Sequence, residues 1–295
     1  MSLIRLIDGS NLARRNFHGQ NLCTFTGVRT GCIYGSIASM LMIQGLKPAD
    51  TVIVVWDAPG GSEFRKAIYP AYKGNRAQVD PNYAEDRANL EQLLTNMGVA
   101  QVSKPGAEAD DIIGYLAKGP FAEDEVEIVS TDKDFYALID PRISVWNPYT
   151  QEYIPVVNGK IPIKEQNKTI YLYPHQVPDY KALVGDKSDN IPGATQFGIT
   201  AAIKYFERNE SIEPILEGKA IITHLSGAAL TGVMQAIPVL KKFKEVATIN
   251  LEIGEVPIPK RPPLRTDVVD ALFEHYEFKQ FAAMGNKVYY LGGKL

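Results

Sequence analysis

The chain has 295 residues, of which 45% are hydrophobic and 22% charged. That balance excludes disordered, collagen-like and fibrous chains, and the length allows one large domain or two modest ones. The formal charge of −3 and pI of about 5.9 lack the basic excess usual in nucleic-acid binders, although acids that held divalent cations would weaken that objection.

No apolar run approaches the ~18 residues of a membrane span, and the N-terminus lacks the apolar segment of a signal peptide. The two cysteines, Cys23 and Cys32, cannot build a disulfide framework or a four-cysteine zinc site. A reducing, cytoplasmic setting is expected.

In chain order, residues 3–7 form a short apolar run ending at Asp8-Gly9, and residues 51–56 form another ending at Asp57. A weaker run over 98–103 precedes Glu108, and a run over 125–130 ends in Thr131-Asp132. Helical patterns lie between them at 30–44, 83–96 and 110–118. Alternating helices and near-continuous apolar strands predict an α/β core with a mostly parallel sheet over residues 1–175. From 176 the pattern becomes helical, at 177–183, 200–206 and 233–246. Pro257, Pro259, Pro262 and Pro263 mark an extended linker before an amphipathic segment at 267–281. No internal repeat or low-complexity stretch is visible.

Each apolar run sends a carboxylate to its C-terminal end, where open α/β sheets bind ligands. The set is Asp8, Asp57, Glu108, Asp110, Asp111, Asp132, Asp134, Asp186 and Asp189. Each acid alone has an ordinary reading as a turn or helix-cap residue. Together they would repel one another unless cations neutralised them. All-oxygen donors suit Mg²⁺ or Mn²⁺, and the set is large enough for two ions, which fits phosphodiester cleavage.

Residues 64–76 bring four cations and several aromatic rings directly after Asp57. A solvated face is the ordinary reading; binding of an unpaired strand is the functional one. Arg14 and Arg15 follow Asp8 by one to two helical turns and could reach the same place. Residues 185–198, GDKSDNIPGATQFG, form a glycine-flanked turn leading into a helix, an arrangement that presents amides to phosphate.

In order, these motifs run Asp8-Gly9-Ser10-Asn11 with Arg15, Trp56-Asp57, Phe64-Arg65, Tyr72-Lys73-Gly74-Asn75-Arg76, Glu108-Ala109-Asp110-Asp111, Ser130 to Asp134, and Gly185 to Gly193. The chain resembles the prokaryotic-type 5′ nucleases, the flap endonuclease and 5′–3′ exonuclease family. That family includes stand-alone bacteriophage enzymes and the N-terminal domain of bacterial DNA polymerase I, and with no polymerase sequence after these motifs a stand-alone member is expected.

The resemblance implies a PIN-like core, a helical arch at about 64–95, and a helical region over 176–295 with a helix–hairpin–helix element at about 185–206. It implies a first metal held by Asp8, Asp57, Glu108 and Asp110, and a second held by Asp132, Asp134 and Asp186, with Asp110 near both. Asp111 and Asp189 would lie farther out. Lys73 and Arg15 would contact the scissile phosphate, and Tyr72 would stack on the 5′-side nucleotide. Arg14, Arg65, Lys66, Tyr69, Arg76, Gly193, Gly198 and Thr200 are the remaining candidate DNA contacts. The hairpin departs from the family pattern: Gln196 stands for a glycine and Ile199-Thr200 for a proline-lysine pair, so K⁺ binding there is an open expectation. A monomer acting on DNA with 5′ ends, flaps or branched junctions is expected. The competing readings are a PIN-like ribonuclease and a non-catalytic DNA-binding module.

Overall fold

The central sheet of the computed structural model runs in the order β3-β2-β1-β4-β5-β6. The structure describes residues 1–219, 225 and 227–293. The strands are β1 (Leu3–Asp8), β2 (Thr51–Trp56), β3 (Ala100–Ser103), β4 (Glu125–Val129), β5 (Ile143–Asn147) and β6 (Glu152–Tyr153). All pairings are parallel except β5 with β6. Every residue of β1 is buried, as a central strand covered on both faces requires.

The chain builds outward from β1 to β3, then returns to the other side of β1 to lay down β4 and β5. This reversal opens a crevice between the C-terminal ends of β1 and β4, the place where doubly wound sheets bind ligands. Asp8 and Asp132 stand at that reversal.

Helices cover both faces. On one face lie α1 (Gly9–Gly19), α2 (Gly31–Leu46) and, beyond α3 (Glu63–Ile68), the helix α4 (Pro81–Asn96). Gly9 is required at the start of α1, because a Cβ there would meet Val54 Cγ1 at 2.6 Å and the Trp56 ring at 2.9 Å. The other face carries α5 (Ala109–Lys118). A hairpin of β7 (Ile161–Glu165) and β8 (Lys168–Leu172) leads to α6 (Val177–Val184), α7 (Ile199–Phe206), α8 (Glu213–Leu216) and α9 (Gly227–Ala247). The chain closes with α10 (Thr266–His275), α11 (Lys279–Ala283) and a 3₁₀ segment over Gly285–Gly292.

The packing is continuous across residue 175: α6, α7 and α9 share one apolar cluster with the sheet. Within the helical region expected over 176–295, the C-terminal segment packs apart from α6, α7 and α9: Phe273, Phe278 and Phe281 return to the opposite face beside α2, where Phe281 stacks on Tyr34. The amphipathic segment at 267–281 forms two helices with a turn at Glu277, whose φ is +57°. The arch expected over 64–95 is shorter, since Leu90, Leu93 and Leu94 bury α4 in the core. Only residues 63–80 stand over the sheet edge as an arm.

A buried ion pair crosses the sheet. Arg5 of β1 meets Glu127 of β4, both almost fully buried, and Arg5 Nη2 also donates to the Lys47 carbonyl at 2.5 Å. Removing one partner strands the other charge in the core. Glu127→Ala should therefore cost about 3–5 kcal/mol in urea unfolding, several times the loss from a surface carboxylate.

Candidate metal centre

The acids converge as the topology dictates. Asp8 ends β1 and caps α1, its Oδ1 accepting from the Asn11 amide at 3.0 Å and its Oδ2 from the Ser130 hydroxyl at 3.0 Å. Asp57 follows β2, and its Oδ1 accepts from the Ala109 amide at 2.9 Å, which joins it to the first turn of α5. Glu108, Asp110 and Asp111 open that helix, with one oxygen of each lying within 4.8 Å of the others. Asp132 follows β4 and caps the next turn through the Asp134 amide at 3.0 Å.

Burial, followed by repulsion from Asp57, raises the Asp8 carboxyl to about 8; Asp132 adds to this and the Asn11 amide opposes it. Asp132 is accessible from an open cavity of about 980 Å³ yet lies among protein atoms. Desolvation there, with Asp110 and Asp186 adding repulsion, raises its pKa against the pull of Lys181. Carboxylates that disfavour their own charge in this way suit a site completed by cations.

The protein supplies some compensation itself. Lys181, on α6, forms ion pairs with Asp134 and with Asp186, the latter at 2.7 Å. Burial alone would raise Asp186, but the Lys181 charge and bonds from Ser188 bring it down to about 2. The sequence reading missed Lys181. Its signal was position, in the last turn of a helix ending at Gly185-Asp186. Lys73, whose ammonium contacts Glu108, likewise reaches the acids. Asp189 lies 3.1 Å from Arg76 and 3.9 Å from Lys73.

Several expected DNA contacts are engaged within the protein. Arg65 is 2% exposed, not on the surface. It binds Asp111 through both amino groups at 2.7 and 2.8 Å and Glu108 at 2.8 Å, and donates to the Val246 and Thr248 carbonyls. Asp111, with both oxygens so engaged and one also accepting from the Asn250 amide, serves as the counter-ion of Arg65. Tyr72 is 1% exposed, and its hydroxyl donates to Glu108 at 3.0 Å, so its ring has no face free to stack on a nucleotide. Tyr69 is half-buried with its ring edge on Phe243. Gly193 has φ +70°, and a Cβ there would lie 2.5 Å from the Gly185 amide nitrogen, so it closes the turn.

The remaining candidates face solvent. Lys66, Lys73 and Arg76 line a cavity of about 260 Å³ with Asp57 and Glu108. Arg14 and Arg76 line another of about 410 Å³, beside Tyr83. Arg15 rests on the Tyr149 ring, 4.0 Å from its centroid, one turn beyond Asn11. Gly198 and Thr200 are exposed at the start of α7, where Thr200 accepts from Lys168 at 2.5 Å. Gln196, standing for a glycine, takes a left-handed φ of +59°.

With this geometry established, comparison with known proteins decides the family. The 5′–3′ exonuclease N-terminal resolvase-like domain matches residues 3–167, and the 5′–3′ exonuclease C-terminal SAM fold matches residues 172–262. The chain belongs to the 5′–3′ exonuclease family. A 5′–3′ exonuclease of Aquifex aeolicus is 33% identical over 221 residues, covering 74% of this chain and 73% of that protein. The thermostable DNA polymerase I of Thermus aquaticus is 33% identical over 279 residues, 93% of this chain. The chain spans about a third of that polymerase's length. The T5 5′-exonuclease with bound zinc superposes with a TM-score of 0.66 at 22% identity, covering 97% of this chain and 95% of the other. This 5′–3′ exonuclease family member thus shares the fold end to end with a metal-binding protein.

Two measurements test the site. Arg65→Ala leaves Asp111 and Glu108 buried without their partner and should lower stability by about 3–5 kcal/mol in urea unfolding, whereas Lys66→Ala should stay within about 0.5 kcal/mol of the parent. The second concerns pH. Asp8 titrates near 8 in the fold but near 3.8 when unfolded, so between those values the folded state holds the extra proton. Its contribution to stability therefore falls as pH rises through that window. Divalent ions should consequently raise the melting temperature more at pH 8 than at pH 5, as calorimetry with and without Mg²⁺ would record.

Proposed function

We propose that the protein is a metal-dependent, structure-specific 5′ nuclease that hydrolyses DNA phosphodiester bonds at 5′ ends, flaps and branched junctions. The observation that supports this reading is the mutual repulsion of Asp8 with Asp57 and Asp132, and of Asp132 with Asp110 and Asp186, beside the close group of Glu108, Asp110 and Asp111 and the Lys181 pairs to Asp134 and Asp186. A non-catalytic module would be expected to have lost some of these acids, and all of them are present. A PIN-like ribonuclease is disfavoured by the match to both exonuclease domains.

The donor set would suit two Mg²⁺ or Mn²⁺ ions: Asp8, Asp57, Glu108 and Asp110 would hold one and Asp132, Asp134 and Asp186 the other, with Asp110 near both. Such ions, when bound, supply Lewis acidity and an activated water at neutral pH. The chain's own groups do the rest. The Lys73 ammonium stands at the cleft beside Glu108, where it favours negative charge developing on a phosphate. Arg15, Lys66 and Arg76 offer further cations to the strand. Gly198 and Thr200 expose the start of α7 to duplex phosphates, and K⁺ at that turn belongs to the same reading. The site is read as working in a monomer. A cytoplasmic location accords with the free thiols Cys23 and Cys32.

A 5′-labelled flap incubated with and without Mg²⁺ tests the proposal, with products sized on a gel. Asp132→Ala should fall below a tenth of the parent rate while binding the flap at least as tightly in Ca²⁺. Cleavage by the parent without divalent ions, or by Asp132→Ala at the parent rate, would overturn it. Titration with KCl should weaken flap binding steeply, as strand phosphates exchange counterions for lysine and arginine.

A further inference from the structure

The loop after Asp186 is tied to the arm that carries Lys73. The Lys73 amide donates to the Asp189 carbonyl at 3.0 Å. The Asn190 side-chain amide donates to the Ala71 carbonyl at 2.7 Å, and that of Asn75 donates to the Lys187 carbonyl at 2.7 Å. Arg76 adds contacts to the Ser188 carbonyl at 3.3 Å and the Asp189 carboxylate at 3.1 Å.

These bonds matter because, among the described residues, little else holds the arm beyond Lys73. Tyr72 anchors it on one side, but residues 74–82 are exposed and bury nothing in the core. Lys73 also carries a left-handed backbone, φ +53°, which a lysine adopts only when its surroundings enforce it. Asn190, facing it, is left-handed too at φ +60°, a conformation asparagine tolerates well. The Asn190 amide reaches across to the residue two before Lys73.

We propose that Asn190 is a positioning residue: its amide, bonded to the Ala71 carbonyl, holds the Lys73 ammonium at the reacting phosphate. The arm and the loop bearing Asp186 then move as one body. This rests on the nuclease reading and on the role of Lys73 within it. Misplacing a catalytic group by a fraction of an ångström to 1 Å lowers turnover without weakening the ground-state complex.

The test uses Asn190→Gly in the full chain, which tolerates the left-handed backbone at this position and removes the side chain that carries the amide. Single-turnover flap cleavage is followed at saturating enzyme in Mg²⁺, with affinity measured separately in Ca²⁺. The expected result is cleavage roughly tenfold slower and affinity within about twofold of the parent, with no further slowing when Asn190→Gly is added to Lys73→Ala. Asn75→Ala, which cuts the same tie from the arm side, should show the same pattern. Parent-rate cleavage by Asn190→Gly, or slowing that persists in full on top of Lys73→Ala, would overturn the positioning role. A loss of affinity with an unchanged saturating rate would make Asn190 a binding contact and overturn it too. The nuclease reading fails separately, by absent cleavage in the parent, and the role of Lys73 fails by a parent-like rate in Lys73→Ala alone.

Discussion

Mutual repulsion among carboxylates is the constraint around which this molecule is built. Parallel strands all point the same way, so every acid placed at a strand's C-terminal end is delivered to the same edge of the sheet. Asp8, Asp57 and Asp132 arrive there from three different strands, and Glu108 and Asp110 from the helix after a fourth. Burial makes the repulsion worse, as the raised Asp8 carboxyl records.

The fold answers with cations of two kinds. Arg65 is a permanent fixture: its planar guanidinium meets Asp111 through two parallel bonds and spends its remaining donors on Glu108 and on backbone carbonyls from the end of α9. Burial alone would weaken its charge, but Asp110 and Asp111 hold it protonated. It thereby fastens the end of α9 to the acidic edge. Lys73 and Lys181 are compact ammonium charges: Lys73 contacts Glu108, and Lys181 pairs with Asp134 and Asp186.

This division explains why the basic stretch after Asp57 is not uniform. Residues 64–76 alternate between anchoring and presenting side chains: Arg65 and Tyr72 point inward to Glu108, whereas Lys66 and Arg76 line open cavities. One arm thus both braces the acidic helix α5 and offers charge to solvent above it.

The sequence by itself determined the sheet's strands up to β4, the acids at their ends and the family, because those signals are local: continuous apolar runs, short motifs and fixed spacings. It missed β5 and the β7–β8 hairpin, whose short strands carry weaker patterns. Only the tertiary structure decided which member of a motif touches the site and which supports it. Arg65 and Lys66 are adjacent in sequence and equally charged, yet helical geometry turns one into the core and the other to the cleft. Lys181 looked like one lysine among many until α6 set it against Asp134 and Asp186. The return of the last helices to α2 and α4 was likewise invisible, since an amphipathic segment declares that it has an apolar face but not which surface will cover it.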